Sequence, residues 1–131
     1  MIENRRCRLM FVDDEPIVGK RLKNIFDKAG YATEVFTNGS SALDDMNRED
    51  YDIIVTDLKM EGIDGMRILQ EARRRNPHIK VIIITAYAEM ETAKKAFQNG
   101  VFDFIPKPFK IDELKQVIHR AEKEMEESVS R

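Results

Sequence analysis

The chain has 131 residues, which suits one globular domain and is enough to bury a core without disulfide or metal cross-links. Its 22 basic and 24 acidic residues leave a formal net charge of −2, so we expect no direct nucleic-acid binding by this segment. One cysteine, Cys7, excludes an internal disulfide framework. The apolar runs are too short for a membrane span or a signal peptide, so we expect a soluble, cytoplasmic protein without a membrane partner.

Short apolar runs alternate with longer amphipathic stretches five times along the chain. Three of the runs are nearly continuous stretches of β-branched or apolar residues, as in strands buried on both faces of a parallel sheet. The predicted strands cover residues 8–12, 32–36, 53–56, 81–85 and 101–105. The fourth run is the most apolar and should lie near the middle of the sheet.

The first three amphipathic stretches carry recognisable start and stop signals of helices. Pro16 suits the first turn of the first helix, and Gly30 suits its end. Asn38 is a plausible N-cap for a short helix that ends at Met46. The third helix should end before Pro77, because the residue preceding a proline avoids the helical conformation.

The last two amphipathic stretches predict two further helices. The fourth has an apolar stripe of Met90, Ala93 and Phe97 and ends at the Asn-Gly pair 99–100. The fifth has a stripe in 4-3-4 spacing, formed by Leu114, Ile118, Ala121 and Met125. That spacing fits either a short coiled coil continuing into a linker or an ordinary surface helix with an apolar stripe.

Strands that alternate with helices in this way predict an α/β fold, a doubly wound, five-stranded parallel sheet with helices on both faces. We interpret residues 1–131 as a single domain with a core of about residues 7–121. The charged helical tail, 122–131, would then be the possible start of a linker to another domain.

Polar side chains follow the predicted strands at the point where each strand ends. Asp13 and Asp14 follow the first strand and Asp57 follows the third, while Thr85 ends the fourth and Lys107 comes after the fifth. In open α/β sheets, ligands bind beyond the carboxyl ends of the strands. These five side chains should therefore converge on one crevice.

Three close carboxylates repel one another unless a cation lies between them, and Mg²⁺ prefers such oxygen ligands. A carboxylate can also act as a nucleophile towards phosphorus, with a lysine balancing the charge of the transferred group. Each residue alone has a simpler interpretation. The acidic pair could be a helix N-cap and Asp57 a turn residue. Thr85 could simply be a strand former, and Lys107 a surface charge. Only their common position at one edge of the sheet favours a phosphoryl-transfer site.

The residues around these positions resemble the receiver domain of two-component response regulators, from about Cys7 to Ala121. The resemblance implies the flavodoxin-like strand order 2-1-3-4-5. The matching segments, in order, are FVDDE at 11–15, DLKM at 57–60, GIDG at 62–65, ITAY at 84–87 and FIPKPF at 104–109.

This resemblance implies a role for each acidic residue. Asp57 would be the phosphoacceptor. Mg²⁺ would be ligated by Asp14, Asp57 and the backbone carbonyl of Lys59, while Asp13 would act mainly through a metal-bound water. The chain departs from the family's pattern at Glu61, where a proline is usual, which puts the rigidity of this loop in question.

The resemblance also implies how the phosphoryl group is sensed. Thr85 would hydrogen-bond the phosphoryl group, and Lys107 would pair with its charge. Phe104 matches the aromatic residue that turns inward with Thr85 and remodels an interaction face, although it could also be a simple core aromatic, for which Phe102 is the better candidate. Family members usually hold the peptide bond before Pro108 in the cis form.

The implied function is that of a signalling switch and not of an enzyme with a separate substrate. The chain would catalyse its own phosphorylation from the phosphohistidine of a sensor histidine kinase, and a slow autodephosphorylation. The implied partners are that kinase, a downstream effector domain or protein and, as a possibility, a second copy of the chain. The segment from Thr85 to Phe104 is most similar to receivers of NtrC-type transcription activators, which indicates transcription regulation.

Two rival interpretations remain open. A haloacid-dehalogenase-type phosphatase would place its aspartyl nucleophile after the first strand, whereas the candidate nucleophile here follows the third. A degenerate receiver would act as a constitutive interaction module, but it would normally lack one of the pocket residues, and each position is filled here.

Overall fold

The computed structural model describes residues 6–86 and 89–129. Tyr87, the two ends of the chain and therefore part of the predicted tail lie outside the described residues. The strands are β1 (Arg8–Val12), β2 (Ala32–Phe36), β3 (Ile53–Asp57), β4 (Lys80–Thr85) and β5 (Asp103–Pro106). The helices are α1 (Pro16–Lys28), α2 (Gly39–Met46), α3 (Gly65–Arg75), α4 (Met90–Gln98) and α5 (Ile111–Val129).

All five strands are parallel and lie in the order β2-β1-β3-β4-β5, which confirms the predicted fold class and topology. β1 pairs on one side with β2 and on the other with β3, so Val12 has Phe36 and Thr56 as its two neighbours. The order of the strands therefore reverses at β1. Ligands of open α/β sheets bind beyond the carboxyl ends of the strands at such a reversal.

Alternate residues of each strand point to opposite faces of the sheet, so the protein has two apolar layers. We call the layer beneath α2, α3 and α4 the α3-side core, and the layer beneath α1 and α5 the α1-side core. The α3-side core includes Met10, Ile54, Ile83, Ala42, Leu69 and Ala96. The α1-side core includes Leu9, Ile53, Ile82, Leu22, Phe26, Leu114 and Ile118.

The two helix starts predicted from Pro16 and Asn38 are confirmed. Pro16 is the first residue of α1. The Asn38 side chain accepts a hydrogen bond from the Ser41 backbone N–H at 2.8 Å, which satisfies a donor that the first turn of α2 leaves unpaired. Asp64 caps α3 in the same way, through the Arg67 N–H at 3.1 Å.

The predicted start of β5 was wrong by two residues. The strand begins at Asp103. The Phe102 N–H already donates to the Val81 carbonyl of β4 at 2.7 Å, whereas Val101 still belongs to the end of α4. The Val101 N–H donates to the Ala96 carbonyl at 3.1 Å, so this residue completes the end of the helix before the chain joins the sheet.

The apolar stripe predicted for α4 was also wrong for two of its three residues. Met90 is 85% exposed and Phe97 is 54% exposed, whereas Ala96 is fully buried. The helix lies against the sheet through this small alanine, so its larger apolar side chains point into solvent.

The stripe of α5 faces the protein's own sheet. Leu114, Ile118 and Ala121 are fully buried in the α1-side core, and Met125 packs against the same core. This arrangement corresponds to an ordinary apolar stripe and leaves these positions unavailable to a coiled-coil partner. No helix within the described part of the chain is long and apolar enough to cross a membrane.

Candidate functional site

Backbone hydrogen bonds continue past the strand ends and fix the residues that follow. The Asp13 N–H donates to the Phe36 carbonyl at 3.0 Å. The Lys107 N–H donates to the Thr85 carbonyl at 2.8 Å, which brings the residue after β5 beside the end of β4. Asp57, the last residue of β3, pairs with Ile84. The predicted convergence of these side chains at one edge of the sheet therefore follows from the sheet register.

Three carboxylates meet at this edge. Asp13, Asp14 and Asp57 each offer an oxygen, and these three oxygens lie within 4.8 Å of one another. Asp13 and Asp57 are buried, at 7% exposure each, whereas Asp14 is open to solvent. The cluster is therefore buried at Asp13 and Asp57, and a ligand can reach it from the side of Asp14.

Lys107 provides a positive charge next to this cluster. Its Nζ lies 2.8 Å from Asp57 Oδ1 and 3.9 Å from Asp13 Oδ2. Partial burial disfavours the charged ammonium, but the hydrogen bond with Asp57 and the charges of Asp57, Asp13 and Glu15 raise the pKa of Lys107 overall. The lysine therefore stays protonated and presents a full positive charge to Asp57.

The surroundings of Asp57 perturb the pKa of its carboxyl group. Burial raises the pKa of its carboxyl to about 7; the Lys107 hydrogen bond opposes this rise, and the charge of Asp13 adds to it. Burial therefore makes the charged form of Asp57 less favourable than it is in water. A bound cation would stabilise the carboxylate form, which is the nucleophilic one.

Thr85 ends β4, and Phe104 lies on the neighbouring strand β5. Thr85 is buried, at 2% exposure. Phe104 is half-buried and packs against the α3-side core, whereas Phe102 is half-buried against the α1-side core. Neither aromatic is a fully buried core residue. The Lys107–Pro108 peptide bond is cis, as the resemblance implied.

Two neighbours of the acidic residues were missed in the sequence. The Glu15 backbone N–H donates to Asp13 Oδ1 at 2.8 Å, which orients that carboxylate. Thr56 Oγ1 donates to the Asp57 carbonyl at 2.9 Å. An aspartate two residues before a free amide at a strand–helix junction is a typical Asx turn, so the first contact had a readable signal; the second had none.

The donor set fits a divalent cation that prefers oxygen. Carboxylate oxygens, a backbone carbonyl and water are the ligands that Mg²⁺ takes in proteins, usually with one or two carboxylates. Asp13, Asp14 and Asp57 offer the carboxylates, and Lys59 stands two residues beyond Asp57 in the loop that leaves β3. The cluster could therefore bind a metal ion.

Comparisons with known proteins agree with this geometry. The family described as response regulator receiver domain matches residues 9–119. The DNA-binding transcriptional regulator NtrC of Klebsiella pneumoniae is 36% identical over 110 residues, which cover 84% of this chain and 24% of that protein. The sporulation initiation phosphotransferase F of Bacillus subtilis is 34% identical over 113 residues, which cover 86% of this chain and 91% of that protein.

A solved structure shows the same likeness in three dimensions. The crystal structure of the response regulator protein TrrA from Thermotoga maritima, in complex with Mg²⁺-BeF, matches with a TM-score of 0.78 at 30% identity. The match covers 88% of this chain and 98% of that one.

The chain spans about a quarter of the length of its NtrC relative and most of the length of the sporulation phosphotransferase. These likenesses favour the receiver interpretation over the phosphatase one. The chain belongs to the receiver-domain family of two-component response regulators.

Proposed function

We propose that Asp57 accepts a phosphoryl group from the phosphohistidine of a sensor histidine kinase in a Mg²⁺-dependent reaction. The observation that carries this proposal is the contact of 2.8 Å between Lys107 Nζ and Asp57 Oδ1, within a cluster whose carboxylate oxygens lie within 4.8 Å of one another. A nucleophile, a fixed positive charge and a set of oxygen donors are thereby combined in one crevice.

The transfer needs little from the protein beyond position and charge. An Asp57 carboxylate oxygen forms the new P–O bond while the P–N bond to the kinase's histidine breaks, and the bonding pair stays on the imidazole nitrogen. Negative charge is spread over the three remaining phosphoryl oxygens in the transition state. Lys107, held by its backbone hydrogen bond to Thr85, stands ready to neutralise part of this charge.

Asp14, Asp57 and the backbone carbonyl of Lys59 would hold the metal, and Asp13 would contact it through a water molecule. Mg²⁺, when bound, supplies further positive charge to the phosphoryl oxygens. The acidic cluster supports this assignment, as does the similarity to TrrA, whose structure contains Mg²⁺-BeF.

After transfer, the Thr85 hydroxyl would hydrogen-bond a phosphoryl oxygen, and Phe104 would change its burial and alter the face around it. Two observations support this switch: Thr85 is buried beside Lys107, and Phe104 is only half-buried. A slow attack of water on the phosphorylated carboxylate would reset the switch.

The altered face would act on a downstream effector domain or protein. NtrC, one relative, is named a DNA-binding transcriptional regulator and is about four times as long as the matched segment, which supports an effector in transcription regulation. A second copy of the chain is an alternative occupant of the same face. Analytical ultracentrifugation of the phosphorylated and unphosphorylated forms distinguishes dimerisation from a purely heterologous contact.

The phosphoacceptor role is tested by intact mass spectrometry after incubation with Mg²⁺ and acetyl phosphate. We expect one phosphoryl adduct that requires Mg²⁺ and is absent from Asp57→Asn. The matched control is Asp50→Asn, which makes the same chemical change at an exposed site before the start of β3 and should keep the adduct.

Other outcomes identify other functions. An adduct that persists in Asp57→Asn would show that a different residue is the nucleophile. Mg²⁺ binding without any adduct would indicate a degenerate receiver. Rapid release of phosphate from small phosphate esters would indicate a phosphatase.

A further inference from the structure

We infer that Gly39, at the start of α2, is a positioning residue for the metal site, because it seats the loop that carries the Lys59 carbonyl. The inference rests on the proposed function, in which that carbonyl is a Mg²⁺ ligand. Gly39 itself touches no ligand; it acts through the loop between β3 and α3.

The loop leaves the sheet at Asp57 and is closed at its base. The Leu58 N–H donates to the Ile84 carbonyl at 3.0 Å, and the Gly65 N–H donates to the Leu58 carbonyl at 2.9 Å. Between these ties, Met60 and Ile63 pack against the α3-side core. The position of the Lys59 carbonyl therefore depends on how Met60 and Ile63 pack against the residues around them.

Gly39 lies close to this loop on the side of α2. A methyl group at Gly39 would lie 2.5 Å from the Ile63 carbonyl oxygen and 2.8 Å from both the Cβ and the Cγ2 of Ile63. These distances are shorter than van der Waals contact, and the first involves backbone, which cannot rotate away. An added methyl group would thus push the loop and not merely a side-chain tip.

A second glycine fixes the other end of the loop. A methyl group at Gly65 would lie 2.2 Å from the carbonyl oxygen of Asp57. The loop is therefore seated between two glycine contacts, one at the phosphoacceptor and one at Ile63. A proline at position 61 would restrict the backbone of this loop, but Glu61 does not. We infer that the two glycine contacts fix the position of the loop instead.

A displaced carbonyl would affect two metal ions differently. Mg²⁺ requires near-ideal octahedral geometry with short bonds, whereas Ca²⁺ accepts longer bonds and irregular ligand sets. Displacement of the Lys59 carbonyl should therefore weaken Mg²⁺ binding more than Ca²⁺ binding. General damage to the fold would weaken the binding of both ions alike, so the ratio of the two affinities is the informative quantity.

The test is isothermal titration of the full chain with Mg²⁺ and, separately, with Ca²⁺. For Gly39→Ala we expect the Mg²⁺ affinity to fall by about 10–100-fold, the range for residues that support metal ligands, with a smaller loss for Ca²⁺. The matched control is Gly19→Ala, another buried helical glycine, where an added methyl group would meet Val35 at an ordinary 3.4 Å. This control should keep both affinities.

Ile63→Ala covers the case in which Gly39→Ala does not fold. It removes the Cγ2 that lies 2.8 Å from the position of a methyl group at Gly39, from a half-buried loop residue, and should lower the Mg²⁺-to-Ca²⁺ affinity ratio in the same direction by a smaller factor. An unchanged ratio in a folded Gly39→Ala, or in Ile63→Ala if only that variant folds, would overturn the inference and leave the proposed function standing. Absence of Mg²⁺ binding by the unaltered chain would overturn both.

Discussion

At the edge of the sheet where the strands end, three carboxylates lie close together, and Lys107 contacts two of them, Asp57 and Asp13. At the edge where the strands begin, charges are matched in pairs: Arg8 lies 2.9 Å from Glu49, and Lys80 lies 3.3 Å from Glu124. Both edges use the same few residue types. The first leaves negative charge uncompensated and buried, whereas the second compensates charge near the surface.

This difference in charge pairing indicates which edge serves function and which serves stability. A buried excess of like charge costs free energy of folding, and it persists in proteins where a ligand supplies the missing charge. Exposed pairs contribute little to binding or to stability. Substitutions at the strand-end edge should therefore change chemistry, while those at the opposite edge should change only the free energy of unfolding.

The largest effect should come from Lys107→Ala. Loss of the ammonium group 2.8 Å from Asp57 Oδ1 removes a charge that balances the transferred group, so the phosphorylation rate should fall by about 10²–10³-fold. The rate is measured from the growth of the adduct mass with acetyl phosphate at saturating Mg²⁺. Lys80→Ala, at the opposite edge of the same sheet, should keep the normal rate; a similar loss there would remove the contrast between the edges.

The next effect concerns metal binding and stability. A cation that binds only the folded state at one hundred times its Kd raises the free energy of unfolding by about 2.7 kcal/mol. Urea unfolding with and without Mg²⁺ should show a gain of this size for the unaltered chain and for Asp50→Asn. For Asp14→Asn at the same Mg²⁺ concentration the gain should shrink, since a carboxylate of the cluster is lost.

A smaller effect is expected at the opposite edge from Tyr51→Phe. The Tyr51 hydroxyl donates to Asp45 Oδ2 at 2.5 Å, and a hydrogen bond to a charged group contributes about 1.5–3 kcal/mol. Urea unfolding should therefore show a loss at the low end of that range, because Asp45 is only partly buried. The phosphorylation rate should stay normal, and a change in it would show that the two edges are coupled.

The smallest effect is expected for the ion pair between Arg8 and Glu49. A double-mutant cycle with Arg8→Met and Glu49→Gln should give a coupling free energy below about 1 kcal/mol, because the Glu49 side chain is about half exposed. The coupling should fall further in high salt, where exposed charges are screened. A value of several kcal/mol would mean that this edge also carries strong electrostatic coupling.

The sequence predicted best what depends on local pattern. β1 and β2 were predicted to the residue, since each apolar run is bounded by polar or turn residues. The convergence of Asp13, Asp57 and Lys107 was predictable because parallel strands bring their carboxyl ends to one edge. Their distances were not, since they depend on how the strands pair.

Features that depend on the depth of packing escaped prediction. The periodicity of α4 indicates which residues share a face, but not that Ala96 alone would be buried while Phe97 points into solvent. The approach of Gly39 to Ile63 brings the start of α2 against the loop between β3 and α3, and no pattern within either segment encodes it. The assignments of metal ligands and switch residues stay predictions until the chemistry is measured.

The arrangement of the sheet also has a consequence for the newly made chain. Asp13 leaves the ribosome before Lys107, which follows β5, the fifth strand of this sheet in chain order, and takes its place only when β5 has paired with β4. A nascent or proteolytically shortened chain that lacks β5 can therefore contain every acidic residue of the cluster without the balancing lysine. A kinase that signals through this crevice would find no complete acceptor in such fragments, so signalling would be confined to molecules that have finished folding.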